Sequence, residues 1–139
     1  LGERMHAESA YAFLPYDRSK VTSLIAACID GSDDHFGLVA ETDGEVVAMI
    51  AGYLCAYFFC DEKLACDIVV FVDSDRRGGI GAARLIRGFR DWAVERGARE
   101  LCLGISTGVA IETTGALYER LGLTRVGGVF KQRLDTVDG

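Results

Sequence analysis

The sequence is poor in proline and in positive charge. It has one proline among 139 residues, and its 15 lysines and arginines are outnumbered by 21 aspartates and glutamates, which gives a net charge of −6. Because 50% of the residues are hydrophobic, the composition excludes a disordered chain and favours a single domain over residues 1–139. The excess of acidic residues argues against a nucleic-acid partner, because proteins that bind nucleic acids have a basic surface. It is compatible with a cationic substrate.

Long apolar runs and metal-binding cysteine motifs are absent too. The longest apolar stretch, residues 46–60, is shorter than the roughly 20 residues that cross a membrane, so we predict no membrane partner. No signal-peptide pattern opens the chain, and we expect a cytoplasmic protein. The cysteines are odd in number and lack C-x-x-C spacing, which predicts buried free thiols with no metal site and no disulfide framework. They are Cys28, Cys55, Cys60, Cys66 and Cys102.

Residues 64–97 carry the strongest pattern in the chain. Residues 68–72 form an unbroken apolar run, typical of a strand that is covered on both faces. A charged, glycine-rich turn follows, and the next apolar residues recur at the spacing of one helix face: Ala82, Leu85, Ile86, Phe89 and Ala93. Gly97 is well placed to end this helix. The segment therefore predicts a strand, a turn and an amphipathic helix.

The turn predicts an anion site. Gly79 and Gly81 have no Cβ, so a ligand can approach the main chain closely. Free N–H groups at a helix start, together with the helix dipole, attract anions. Arg76 and Arg77 add charge that suits phosphate oxygens. The turn is therefore a candidate pyrophosphate cradle, and an ordinary strand–helix connection with solvated arginines is the alternative.

Two common phosphate-binding motifs do not match this turn. A P-loop requires Lys-Ser or Lys-Thr after its last glycine, where this chain has Ala82 and Ala83. A dinucleotide-binding fingerprint requires glycine or alanine where this chain has Arg84. Residues 76–81 instead have the pattern Arg-x-x-Gly-x-Gly, which resembles the coenzyme A pyrophosphate loop of the GNAT superfamily of N-acetyltransferases. Residues 117–123, Leu-Tyr-Glu-Arg-Leu-Gly-Leu, are similar to that family's Leu-Tyr-Glu-Lys-Leu-Gly-Phe segment.

The resemblance implies an α/β fold with a mixed, mostly antiparallel central sheet flanked by helices. It implies that acetyl-CoA is the cosubstrate and that its pantetheine arm lies between two parallel strands that splay apart, residues 64–72 and 101–106, with Gly104 leaving room for the arm. A backbone N–H near Phe71 or Val72 would polarise the acetyl carbonyl. The other implied cofactor contacts are Arg76, Arg77, Gly78, Gly79, Ile80, Gly81, Ala82 and, from the second motif, Tyr118.

Tyr118 occupies the position at which the family's general acid commonly lies. A phenol has an unperturbed pKa of about 10, so it is protonated at neutral pH and can donate to a leaving thiolate. On spacing alone, Tyr118 could equally pack against Leu117 and Leu121. With the cradle motif present, we expect it to be the catalytic acid.

The general base is less well determined. Asp67 lies within an apolar strand, where an unpaired carboxylate would be costly, so we expect it to face the cleft and accept the proton of the amine, directly or through water. Asp61, Glu62 and Glu112 are alternatives, and each candidate could instead be a solvated or ion-paired carboxylate. No histidine lies beside Cys102 in sequence to activate it. This favours direct attack by a primary amine, of a small molecule or a protein, in a ternary complex.

The whole chain reads as the element order ααβββαβαββ. Local signals are a helix cap at Asp17, a hairpin turn at Asp43-Gly44, and a bulge or close backbone approach at Gly52. Residues 45–59 are predicted to be one long strand, and residues 124–126 and 129–134 to close the sheet as a hairpin.

Two other functions stay open at this point. One is a catalytically silent coenzyme A-binding or regulatory module that keeps the fold, and the other is a nucleotide-phosphate-binding protein. The aromatic run at residues 57–59, together with exposed edge strands, is compatible with a homodimer.

Overall fold

In a computed structural model, which describes residues 1–31, 34–78 and 80–134, helices flank a four-stranded sheet. The elements in chain order are α1 (Gly2–Glu8), α2 (Arg18–Ile29), β1 (His35–Thr42), β2 (Glu45–Ala56), β3 (Lys63–Val72), α3 (Gly81–Glu95), β4 (Glu100–Cys102) and α4 (Ile111–Arg120). The strand order is β1-β2-β3-β4, in which only the β3–β4 pairing is parallel. The predicted α/β class with a mixed, mostly antiparallel sheet is confirmed. None of the helices in the described ranges is long and apolar enough to span a bilayer.

Local signals place several of the element boundaries. Asp17 caps α2, since its carboxylate accepts a hydrogen bond from the Lys20 N–H at 3.1 Å. Asp43 and Gly44 have φ of 53° and 81°, as the tight turn between β1 and β2 requires. Gly97, with φ +75°, follows the end of α3. These three predictions from the sequence are confirmed.

The core lies between the sheet and α3. Phe89, Ile50 and Ile86 are the largest fully buried side chains. Phe89 stacks on Phe36 of β1, with ring centroids 5.4 Å apart. The predicted apolar face of α3 is confirmed, because its buried residues are Leu85, Ile86, Phe89 and Ala93. Tyr118 of α4 joins the same cluster, so α3 and α4 cover the same face of the sheet.

The other face of β1 is covered by α2. Gly37 permits the close packing, because a Cβ at that position would lie 2.8 Å from Cys28 Cβ of α2. Phe36, the preceding residue, packs on α3. Successive residues of β1 therefore point to different helices, as the alternation of a strand requires.

The backbone of β2 approaches α3 closely at Gly52. The β2–β3 register shifts between Ala51 and Gly52. A Cβ at Gly52 would lie 2.4 Å from Phe89 Cζ and 2.8 Å from the Cys66 carbonyl oxygen. The close approach predicted at Gly52 is confirmed, and it lets the Phe89 ring rest against the main chain. The irregularity beside it lies in β3, where Ile68 is the extra residue between the partners of Ala51 and Gly52.

The predicted C-terminal hairpin is wrong. In the part of the chain that the structure describes, no strand forms within residues 124–134, and Val126 and Phe130 are 95% and 96% exposed. β4 is also shorter than the predicted residues 101–106, so it offers only three residues as an edge on which a further strand could pair. The glycines at 127–128 add no side chain that could pack on the sheet.

The C-terminal segment contacts the residues that follow α1 instead. Lys131 Nζ donates a 2.7 Å hydrogen bond to the Ser106 carbonyl oxygen and lies over the Tyr11 ring. Arg133 lies over the Phe13 ring, with its guanidinium carbon 3.5 Å from the centroid. These cation contacts hold the segment against the protein without a strand.

Two further expectations are corrected near the sheet. β2 ends at Ala56 rather than at residue 59, and Phe58 in the following turn is 99% exposed. All five cysteines are free, but Cys60 and Cys102 are exposed, so the prediction of buried thiols is wrong for these two. The homodimer stays a prediction.

We predict that Gly52→Ala destabilises the protein. The added Cβ would overlap the Phe89 ring, and overpacking of this kind costs about 1–3 kcal/mol of unfolding free energy. Chemical denaturation measures the difference from wild type. Gly127→Ala is the control, because a Cβ there would meet nothing within 4 Å. If Gly52→Ala unfolded at the same denaturant concentration as the control, the close approach would be contradicted.

Candidate active site

The β3–β4 ladder ends where the two strands separate. Its three rungs join Leu64 to Glu100, Ala65 to Leu101 and Cys66 to Cys102. Beyond the last rung, β3 continues to Val72. The segment that follows β4 turns away from β3 and leads to α4. The separation opens a cleft of about 170 Å³, lined by residues 67–72, 104–107 and 109–110 and by α4. The divergence of these two parallel strands agrees with the prediction.

Two N–H groups of β3 point into this cleft. The Asp73 N–H donates to the Val47 carbonyl oxygen at 2.8 Å, which makes Val72 part of a non-hydrogen-bonded pair in the antiparallel β2–β3 ladder. The Val72 N–H therefore points away from β2, and so does that of Val70, two residues earlier. The Phe71 N–H points towards β2. Of the two positions predicted to polarise a carbonyl, the geometry favours Val72.

The two predicted catalytic residues are joined through the main chain of Gly104. Asp67 Oδ1 accepts a hydrogen bond from the Gly104 N–H at 3.0 Å. The Tyr118 hydroxyl donates to the Gly104 carbonyl oxygen at 3.3 Å. All three residues line the cleft, and Tyr118 is only 7% exposed. Asp67 belongs to β3, Gly104 to the segment after β4 and Tyr118 to α4. These three residues therefore come together only in the folded chain.

Burial governs the ionisation of both side chains. It raises the pKa of Asp67, while the hydrogen bond from Gly104 opposes the rise. Burial also raises the pKa of Tyr118, and the charge of Asp67 adds to that rise. Tyr118 is therefore a neutral phenol at physiological pH and can donate a proton. Asp67 is a stronger base than an exposed aspartate.

The other candidate bases lie outside the cleft. Asp61 and Glu62 are exposed in the turn between β2 and β3, and Glu112 is exposed in the first turn of α4. None of these three lines the cleft. Of the four carboxylates considered from the sequence, Asp67 is the one that the fold brings to Tyr118.

The turn after β3 lies at the mouth of the cleft. Arg76, Arg77 and Gly78 of the turn line the cleft, and so does Ala82 in the first turn of α3. Gly78 has φ +89°, a conformation that favours glycine. α3 begins at Gly81 with the exposed Ile80 as its N-cap, and within the described ranges no side chain caps its first N–H groups. Those groups meet the requirement for an anion site. Gly79 lies outside the described residues.

Arg77 is already engaged within the protein. Its guanidinium forms a two-pronged ion pair with Glu8 of α1, at 2.6 and 2.8 Å. Its Nε donates to the Val72 carbonyl oxygen at 3.0 Å, and the group lies 5.3 Å from the centroid of the Phe71 ring. Arg76 forms no ion pair with any described residue. Arg76 is therefore the arginine of this turn that is available to a ligand.

Helix α1 fixes the turn, which the sequence did not indicate. Arg4 forms an ion pair with Asp73 at 3.0 Å, beside the Glu8–Arg77 pair. The hydrogen bond from Arg77 lowers the pKa of Glu8. Glu8 lies so far from the turn in sequence that no motif or spacing relates the two. To act as the predicted phosphate ligand, Arg77 would have to exchange Glu8 for the phosphate.

We predict that Asp67→Asn stabilises the protein at neutral pH but not in acid. Because the pKa of Asp67 is raised in the folded state, ionisation of this carboxyl favours unfolding. The resulting loss of unfolding free energy is absent below the ordinary pKa of an aspartate. It grows as pH rises from there through the folded-state pKa, and it is constant at higher pH. Asparagine removes the charge and keeps an oxygen that can accept from Gly104.

Denaturation of both proteins across this pH range measures the effect. Asp61→Asn, which changes an exposed carboxylate, is the control. A stability difference between Asp67→Asn and wild type that did not grow with pH would contradict the burial of an ionised Asp67.

A model described as the acetyltransferase (GNAT) family matches residues 3–123. No curated protein matches the chain.

Solved structures share the fold at low sequence identity. An aminoglycoside acetyltransferase from an uncultured soil metagenomic sample is 21% identical, with a TM-score of 0.69, covering 94% of this chain and 86% of that chain. Glucosamine-6-phosphate N-acetyltransferase from Arabidopsis thaliana is 18% identical, with a TM-score of 0.70 and coverage of 87% and 81%. AAC(6')-Iy, in complex with a coenzyme A bisubstrate analogue, is 18% identical, with a TM-score of 0.68 and coverage of 85% and 80%.

Proposed function

The chain belongs to the acetyltransferase (GNAT) family, and from this premise we propose that it transfers an acetyl group from acetyl-CoA to a primary amine. The observation that carries the proposal is the cleft at the β3–β4 divergence. There Asp67 accepts a hydrogen bond from the Gly104 N–H, and Tyr118 donates one to the Gly104 carbonyl oxygen. A proton acceptor and a proton donor are thereby held in one cleft. Acyl transfer from a thioester to an amine requires both.

The shape and charge of the cleft suit acetyl-CoA. The N–H groups of Val70 and Val72 lie beyond the last β3–β4 rung and can donate to the amide-bearing pantetheine arm and to the acetyl carbonyl. At the mouth, the start of α3 and Arg76 offer N–H donors and positive charge to the pyrophosphate, within the proposed cradle of residues 76–82. The bisubstrate complex of AAC(6')-Iy supports this, because a protein of the same fold holds a coenzyme A derivative.

The residues of the cleft can move both protons of the reaction. Acetyl-CoA supplies a thioester whose acetyl carbon the amine attacks and whose thiolate leaves. Asp67, made more basic by burial, accepts the proton of the amine directly or through water. Tyr118 donates its hydroxyl proton to the leaving sulfur, and its bond to Gly104 is long at 3.3 Å, so the hydroxyl can turn. The Val72 N–H stabilises the developing charge on the carbonyl oxygen.

We propose an amine of a small molecule or of a protein as the acceptor. A cationic acceptor would be attracted by the net charge of −6. The fold neighbour from Arabidopsis thaliana acts on an amino sugar phosphate, which supports an amine as the acceptor. A silent coenzyme A-binding module would use the same cleft, but it would have no need of a proton donor and a proton acceptor held by the same residue, Gly104.

We predict that Tyr118→Phe lowers turnover about a hundredfold and leaves acetyl-CoA binding intact, because phenylalanine keeps the buried ring and removes only the proton donor. Steady-state rates with acetyl-CoA and a panel of primary amines measure turnover, and calorimetry measures binding. Tyr53→Phe is the control, since Tyr53 does not line the cleft. Unchanged turnover would remove Tyr118 from the mechanism. Acetyl-CoA binding by a wild-type protein that acetylates no amine would favour the silent module.

We predict that Arg76→Ala weakens acetyl-CoA binding about tenfold, the effect of losing one charge-assisted hydrogen bond. The loss should shrink at high salt, because screening already weakens the interaction in wild type. Calorimetry at two salt concentrations measures both effects. Arg87→Ala, which removes an equal charge from the exposed side of α3, is the control. If Arg76→Ala and Arg87→Ala bound acetyl-CoA with equal affinity, the role of Arg76 in the proposed pyrophosphate cradle would be contradicted.

A further inference from the structure

Three of the five cysteines lie together on the face of the sheet opposite α3. The Sγ atoms of Cys55 and Cys66 are 3.9 Å apart. Cys102 is the partner of Cys66 in the last rung between β3 and β4. Ala65, which precedes Cys66, is fully buried in the core with α3, so the alternation of β3 turns Cys66 to the other face. Three adjacent strands, β2, β3 and β4, thus contribute one thiol each.

The strand register suits a bond between one pair of these thiols. Cys66 and Cys102 are direct partners in the last β3–β4 rung. Neighbouring strands lie about 4.8 Å apart, within the range of Cα separations in disulfides. Cys55 is opposite Leu64 and is therefore a diagonal neighbour of Cys66. Diagonal Cα atoms lie roughly 7–8 Å apart, beyond that range. The backbone favours Cys66 with Cys102.

Exposure sets the order in which these two thiols react. Cys102 is exposed, whereas Cys66 is partly buried. Burial and the contact with Cys55 raise the pKa of the Cys66 thiol, so it stays protonated at neutral pH. Cys102 is therefore the thiol that a reagent in solution meets first. The described residues contain no group of three ligating side chains arranged for a metal ion, so thiol chemistry is what the cluster offers.

We propose that Cys66 and Cys102 form a thiol–disulfide modification site for small disulfides such as oxidised glutathione. The Cys102 thiolate attacks one sulfur of the small disulfide, releases one thiolate and is left as a mixed disulfide. Cys66 then loses its proton to solvent, attacks Cys102 Sγ and releases the second small thiol. One disulfide is reduced to two thiols, and two protein thiols are oxidised to one Cys66–Cys102 bond.

The bond would form at the point where the cleft begins. Asp67 directly follows Cys66, and Gly104 lies two residues after Cys102. These two neighbours are themselves joined by the 3.0 Å hydrogen bond from the Gly104 N–H to Asp67. Oxidation would therefore fix the rung from which both walls of the cleft diverge.

Peptide mapping of the full chain tests the proposal independently of any acetyl transfer. Trypsin places Cys66 in residues 64–76, Cys102 in residues 100–120 and the other three cysteines in residues 21–63. The folded, reduced protein is treated with oxidised glutathione at mildly alkaline pH, alkylated and digested without reductant. We expect residues 64–76 to be joined to residues 100–120, with the link reversed by dithiothreitol. A link from 64–76 to 21–63, or separate glutathione adducts alone, would overturn the proposal.

Single variants test the role of each thiol. Cys66→Ser removes the second thiol, so glutathione should accumulate on Cys102, whereas Cys55→Ser and Cys60→Ser should still form the link. Thermal melting of the reduced proteins shows whether each variant is folded, and Cys66→Ala replaces Cys66→Ser if that variant is not. If the Cys66 variant carried no more glutathione on Cys102 than wild type does, Cys66 would not be the partner.

Discussion

The open edge of β3 is the feature on which the rest of this structure depends. A strand inside a sheet uses its N–H and C=O groups on both sides, and β3 does so only as far as Cys66. From Asp67 to Val72 its second edge borders a cleft. The open edge directs N–H groups into that cleft, and the departing chain carries Gly104 to a place between Asp67 and Tyr118. One divergence of the backbone therefore produces both the N–H donors and the pairing of Asp67 with Tyr118, the proposed base and acid.

The open edge is held in place from two sides. On the face covered by α3, Phe89 packs against the main chain of β2 at Gly52, next to the register shift between β2 and β3, which fixes the strand beside β3. At the end of β3, the ion pair of Arg77 with Glu8 ties the following turn to α1. Such support would favour the proposed binding of acetyl-CoA, because donors that are already positioned need no reorganisation on binding.

Features decided by neighbouring residues could be predicted from the sequence, and features decided by distant ones could not. The turn at Asp43-Gly44 and the buried face of α3 follow from backbone conformation and helical period. The hairpin at residues 124–134 failed because an apolar pattern forms a strand only beside an available edge, and β4 provides three residues. At the site, Asp67 was predicted from its residue type and setting and Tyr118 from the family resemblance, and the fold brings both to one cleft. Their connection through Gly104 and the ion pair of Arg77 with Glu8 of α1 could not be predicted, because both join residues that are far apart in the sequence.

Amide hydrogen exchange at the open edge, with and without acetyl-CoA, tests the central claim most directly. The N–H groups of Val70 and Val72 have no partner in β4, whose last rung with β3 is at Cys66. We expect both amides to exchange more slowly in excess acetyl-CoA, because bound pantetheine and acetyl groups would accept their hydrogen bonds. The Phe71 amide, which points to β2, should change little. Unchanged exchange at Val70 and Val72 in excess acetyl-CoA would contradict the placement of the cofactor in this cleft.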